Sequence, residues 1–124
     1  MTQFELPAEG QSVRAARSRT GLDQRVLALS DADQADVTLI VSELVSNAIE
    51  AASYGTVIVV DISSGGTGLV IAVSNQGERR LTNVTPAMSG GAKSRGRGLA
   101  LVSMLSREVT VTEKHGRTTV QALF

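Results

Sequence analysis

In residues 31–52, DADQADVTLIVSELVSNAIEAA, the apolar side chains of Val37, Ile40, Val41, Leu44, Val45, Ala48, Ile49 and Ala52 recur at i, i+3, i+4 and i+7. That spacing places them on one face of an α-helix. Asp31, Asp33 and Asp36 fall where the positive end of the helix dipole favours acids, and Gly55 stops the helix. A helix this long with a single apolar face needs a surface to cover, and the flanking segments supply one.

VIVVDI (57–62) and LVIAVS (69–74) are β-branched runs separated by the glycine-rich SSGGTG, which predicts an antiparallel hairpin. EVTVTE (108–113) and RTTVQALF (117–124) alternate apolar and polar residues around His115-Gly116, a second hairpin. Thr2–Leu6 reads as a short strand, and Val13, Ala16 and Arg17 suggest a helix after Gly10 and Ser12. From Asn75 to Gly98 periodicity gives way to a polar loop, after which Leu99, Leu101, Val102 and Leu105 predict another helix. The order is strand, helix, helix, hairpin, loop, helix, hairpin. Helices with one apolar face each cover one side of a sheet. The expected fold is therefore α/β (α+β), a two-layer sandwich whose mixed, mostly antiparallel sheet carries helices on one face. Regular β-α alternation is missing, which disfavours a doubly wound sheet.

The chain has 124 residues, 42% of them hydrophobic, so a single domain spanning 1–124 with one core is expected. Twelve Lys and Arg balance twelve Asp and Glu, but unevenly. Val26–Glu78 holds seven acids and no Lys or Arg, whereas Arg79–Arg107 holds six bases and no acid. Such a division suits a cation ligand in one segment and an anion site in the other, and it equally suits two solvated faces. Without cysteine and with His115 as the lone histidine, thiolate sites are excluded and a zinc site is not buildable from histidine. No signal peptide and no run of 18 apolar residues is visible, so a cytoplasmic protein without a membrane segment is expected. Phe4, Tyr54 and Phe124 are the only aromatics, and with zero net charge they supply little for stacking on, or steering toward, nucleic acid.

Three groups of residues are suited to chemistry. Glu43, Asn47 and Glu50 lie at i, i+4, i+7 and predict a polar stripe on the long helix, away from its most apolar positions. An amide oxygen can ligate Mg²⁺ and a carboxylate one turn away can accept a proton, although a solvated face explains the same spacing. SGGAKSRGRGLALV (89–102) sets Gly90, Gly91, Gly96 and Gly98 among Lys93, Arg95 and Arg97 just ahead of a helix, which suits phosphate or, more simply, a surface loop. It fits neither the P-loop pattern nor the Rossmann fingerprint, whose third glycine is Leu101 here. VSNQG (73–77) puts a hydrogen-bonding Asn75 at a strand end before Gly77, as an edge-on contact to a planar base or as a plain turn.

In order, these segments resemble the Bergerat-fold (GHKL) ATP-binding domain of gyrase-type ATPases, histidine kinases and anti-sigma serine kinases. SELVSNAIEAA (42–52) looks like that family's N box, VSNQG its G1 box and GRGLALV (96–102) its G2 box. FELPAEGQSVRAARS (4–18) is similar to the opening of bacterial anti-sigma factor/serine-protein kinases. The resemblance implies an ATP-binding serine/threonine kinase acting in transcription regulation, with Mg²⁺ held by Asn47 and Glu43 as general base. It implies that Gly96, Gly98 and Leu99 shape the phosphate region, with Lys93, Arg95 and Arg97 as charge partners. Asn75 and Gly77 belong to the adenine end, and Thr118 sits where the family often places a threonine near adenine. The implied partners are a sigma factor or a STAS-domain antagonist; homodimer formation is open.

The chain departs from the pattern at three positions. The G1 aspartate is Asn75, the second glycine of that box is Arg79, and Ala51 stands where a histidine is common. An amide still accepts a bond from the adenine amine without charge assistance, at a loss of about 1 kcal/mol. The competing expectation is a degenerate, non-catalytic protein-interaction module of the same fold.

Overall fold

The Ser30 side chain accepts a hydrogen bond from the Asp33 N–H at 3.1 Å and so caps α3 (Asp31–Ala51), the helix expected from the sequence. The computed structural model describes residues 1–66, 68–77 and 94–124, and only the backbone of 94–97. Before α3 come β1 (Thr2–Pro7), α1 (Ser12–Gly21) and a short α2 (Gln24–Leu27). After it come β2 (Val57–Gly65), β3 (Gly68–Gln76), α4 (Ser94–Leu105), β4 (Glu108–Lys114) and β5 (Arg117–Leu123).

The strands form one sheet in the order β1-β2-β3-β5-β4, and every neighbouring pair is antiparallel. Because β5 inserts between β3 and β4, strands distant in sequence become neighbours at the centre. Side chains alternate between faces as a pleated strand requires. Phe4, Leu6, Ile58, Val60, Ile62, Leu69, Ile71, Val73, Val120 and Ala122 are buried and share one face. Over them lie Val37, Ile40, Val41, Leu44 and Val45 of α3 with Leu99 and Val102 of α4, all at most 1% exposed. α1 packs on α3 through Ala16 and Thr20, both buried, while Arg17 points to solvent. The expected two-layer sandwich is observed, with its sheet antiparallel throughout the described strands.

Two expectations need correction. α2 carried no periodic signal because it is only four residues long; Asp23 starts it by accepting from the Arg25 N–H at 2.8 Å. The expected loop from Asn75 to Gly98 is shorter at both ends, since β3 runs through Gln76 and α4 begins at Ser94. Each glycine inside a helix costs about 1 kcal/mol relative to alanine, so local preference argued for a loop at Gly96 and Gly98. Burial of Leu99 and Val102 in the α3–α4 layer outweighs it.

Asp23 also joins α2 to the edge of the sheet. It is 6% exposed, and the Thr2 hydroxyl donates to its Oδ2 while Arg25 lies 3.5 Å away. Burial alone would push this carboxyl up. The Thr2 hydroxyl, the N–H groups of Arg25 and Val26 and the Arg25 charge outweigh it and hold the group below the usual carboxylate range. A depressed folded-state pKa gives stability above the unfolded-state value, lost as pH falls through the folded one. Asp23→Ala should therefore cost about 1–2 kcal/mol in urea unfolding at pH 7. The gap to wild type should narrow as the pH is taken below about 4.

Candidate functional site

Asn47 is a poor choice for a buried position in the middle of a helix, because an amide there must find partners away from the backbone. It is nevertheless 2% exposed, and its Nδ2 has no hydrogen-bond partner among the described residues. Glu43, one turn earlier, is half-buried, and Glu50 is exposed. The expected stripe is therefore not a solvated face turned from the core: it descends from the surface at Glu50 into the protein at Asn47. The α3–α4 seam and the sheet beneath draw this side of α3 inward.

On the sheet, Asn75 and Thr118 are directly opposed across β3 and β5. Both are 2% exposed, and neither Asn75 Nδ2 nor Thr118 Oγ1 has a partner among the described residues. They interrupt an otherwise apolar face, with Val73 and Val120 one step along it and Ile58 on the other side of Asn75. Asn75 is thus a residue of β3 and not the start of a turn.

The backbone ties this end of the sheet to the end of α3. The Ser53 N–H donates to Gln76 O at 2.8 Å, and the Gly77 N–H to Gly116 O at 3.2 Å. A side chain at Gly77 would collide with the carbonyl oxygen of Ala51, so only glycine permits this approach. The Gly116 contact carried no motif beyond its turn signal. His115 (φ 55°) and Gly116 (φ 77°) adopt the left-handed conformations that a tight β4–β5 hairpin needs.

Gly98, the fifth residue of α4, lies against the Glu43 carboxylate: a Cβ there would stand 2.6 Å from Glu43 Oε1. Leu99 beside it is fully buried. α4 therefore meets α3 at Glu43 through the start of its second turn. Gly96 and Gly98 lie within the helix rather than ahead of it. Lys93, Arg79, Gly90 and Gly91 fall outside the described residues, as do the side chains of Arg95 and Arg97. Of the residues expected to form a site, the structure brings Asn75, Thr118 and Gly77 together at one sheet end and Gly98 against Glu43, one helical turn from Asn47.

Gly98→Ala tests the second contact. The added methyl must push the flexible Glu43 carboxylate aside, which displaces that carboxylate without breaking the backbone contact of the two helices. The fold should tolerate it, because alanine in a helix recovers about 1 kcal/mol over glycine. A melting curve of the variant, expected at or slightly above that of wild type, checks this.

Among the described residues no group of three or more His, Cys, Asp or Glu forms a metal cluster, and no helix is long and apolar enough to cross a membrane. No curated protein sequence matches the chain. Among solved structures, the RsbU and RsbW domains of Rv1364c from Mycobacterium tuberculosis share the fold, with a TM-score of 0.66 at 19% identity. The match covers 99% of this chain and 32% of that one. The model of the histidine kinase-like ATPase domain matches residues 6–124, encompassing α3, both hairpins and α4, and the chain belongs to that family.

Proposed function

We propose that this chain, as a single cytoplasmic domain over residues 1–124, binds Mg-ATP between α3, the β3–β5 end of the sheet and α4. It then phosphorylates a serine or threonine of a STAS-domain antagonist, and holds a sigma factor as its alternative partner in transcription regulation. One observation carries the reading. Asn47, Asn75 and Thr118, drawn from three separate elements, are buried with polar atoms that lack partners among the described residues. Each such group costs about 1–3 kcal/mol unless something supplies its hydrogen bond. Groups of this kind are retained where a ligand completes them.

In this reading Asn75 and Thr118 meet the base, and Gly77 keeps the strand end close to α3. Gly96, Gly98 and Leu99 shape the phosphate region at the N-terminal half of α4, and Lys93, Arg95 and Arg97 balance the phosphates' charge. Asn47 fits a Mg²⁺ site: its Oδ1 is a hard oxygen donor, and no carboxylate cluster among the described residues competes for the ion. Bound Mg²⁺ supplies charge neutralisation on the phosphoryl oxygens. Glu43 lies about 6 Å further along the helix axis, by the rise of one turn. Its carboxylate accepts the proton of the attacking hydroxyl as that oxygen bonds to the γ-phosphorus and the bond to the ADP oxygen breaks.

Calorimetry with Mg-ATP tests the first step, and phosphate transfer from ATP to a STAS-domain protein the second. Absence of binding at millimolar nucleotide, in a folded sample, overturns the kinase reading. The non-catalytic module has two departures in its favour, the amide of Asn75 where a carboxylate is usual and Arg79 in place of the second glycine of the G1 box. It predicts partner capture indifferent to ATP and to Asn47→Ala, whereas the kinase reading predicts dependence on both.

A further inference from the structure

We infer that the base end of this site accepts 6-oxopurine nucleotides, such as GTP, alongside ATP, and that Asn75 sets this choice. The inference rests on the nucleotide-site reading above. Asn75 is 2% exposed, and its amide nitrogen, a donor, has no partner among the described residues. A ligand that completes a buried N–H donor must present an acceptor there. The 6-oxo group of guanine is one; the 6-amino group of adenine is not, and it is met only by turning the amide over so that Oδ1 faces it. An amide permits that half-turn because it carries a donor and an acceptor on one planar group. An ionised carboxylate at the same position accepts only, and would repel a 6-oxo group.

The neighbours leave the choice open. Thr118, directly across the strand pair, offers a hydroxyl that rotates to donate or accept, and its Oγ1 likewise lacks a partner among the described residues. On the same sheet face Ile58, Val73 and Val120 are apolar and at most 4% exposed. None of them imposes a polarity on the amide. Both groups that we assign to the base are therefore reversible in hydrogen-bonding sense.

The test titrates the full chain with the Mg²⁺ complexes of ATP, GTP and ITP, the last bearing the 6-oxo group without guanine's 2-amine. Dissociation constants for the three are expected within about tenfold of one another, or 1.4 kcal/mol. Asn75→Asp should shift the balance toward ATP by at least about tenfold, because the acceptor-only carboxylate leaves the 6-oxo group unpaired. If either 6-oxo nucleotide binds wild type more than about tenfold weaker than ATP does, the inference falls while the ATP site stands. That comparison needs no variant, so misfolding of Asn75→Asp does not spare the inference. Failure of wild type to bind any of the three, with a cooperative melting curve, overturns the nucleotide site itself and the inference with it.

Discussion

Replacing Asn47 by alanine should remove the response of the protein to Mg-nucleotide while leaving the ligand-free fold as stable as wild type, or more so. The two halves have one cause. In the ligand-free chain the Asn47 amide is buried, with Nδ2 unpartnered among the described residues, so it contributes a desolvation cost of about 1–3 kcal/mol and no compensating bond. Alanine deletes that cost and improves the intrinsic preference of the helix by about 0.5 kcal/mol, against a small loss of packing. With ligand the balance reverses, since the amide oxygen assigned to Mg²⁺ is gone. A ligand at 100 times its Kd stabilises the folded state by about 2.7 kcal/mol, and that increment should vanish in the variant. Phosphoryl transfer should fall by at least about 100-fold. Melting curves with and without Mg-ATP measure both. A variant that loses 2 kcal/mol or more without ligand yet still responds fully to Mg-ATP would make Asn47 a structural residue.

The same residue shows what periodicity conveys and what it omits. The spacing of Val37, Ile40, Val41, Leu44 and Val45 located α3 within one residue of its observed end, because a buried helix face requires that repeat. The second hairpin was equally legible, since alternation fixed its faces and His115-Gly116 gave its turn, whereas the strands of the first extend through Gly65 and from Gly68 into the stretch expected as a six-residue turn. The polar stripe of Glu43, Asn47 and Glu50 was expected away from the most apolar positions, yet Asn47 stands at i+7 from Ile40 and i+3 from Leu44, at the margin of the buried face, and only Glu50 of the three is exposed. The pairing of Asn75 with Thr118 depends on β5 inserting beside β3, a choice made by the whole sheet and invisible in either strand. Gly98 drew attention as a possible phosphate-loop glycine; its observed contact is with the Glu43 carboxylate, inside a helix that local propensity argued against. Motif order identified the residues, and packing determined what each one touches.

Glu43→Gln should separate chemistry from binding. Glutamine matches glutamate in shape, so it fills the space beside Gly98 and leaves the α3–α4 contact intact. Glu43 is half-buried against Gly98, and its carboxylate can accept a proton, which an amide cannot. If its carboxylate removes the proton of the attacking hydroxyl, single-turnover phosphorylation should slow by about 10²–10⁴-fold, the range for loss of a positioned general base. Nucleotide affinity should stay within about threefold, because the contacts assigned to base and phosphates are untouched. Glu43→Asp, which keeps the carboxylate but withdraws it by one methylene, should fall between wild type and Glu43→Gln. Equal losses of affinity and rate in Glu43→Gln would instead assign Glu43 to holding α4 in place. An unchanged rate would move the proton acceptor to the incoming protein substrate, leaving Glu43 as the wall against which Gly98 packs.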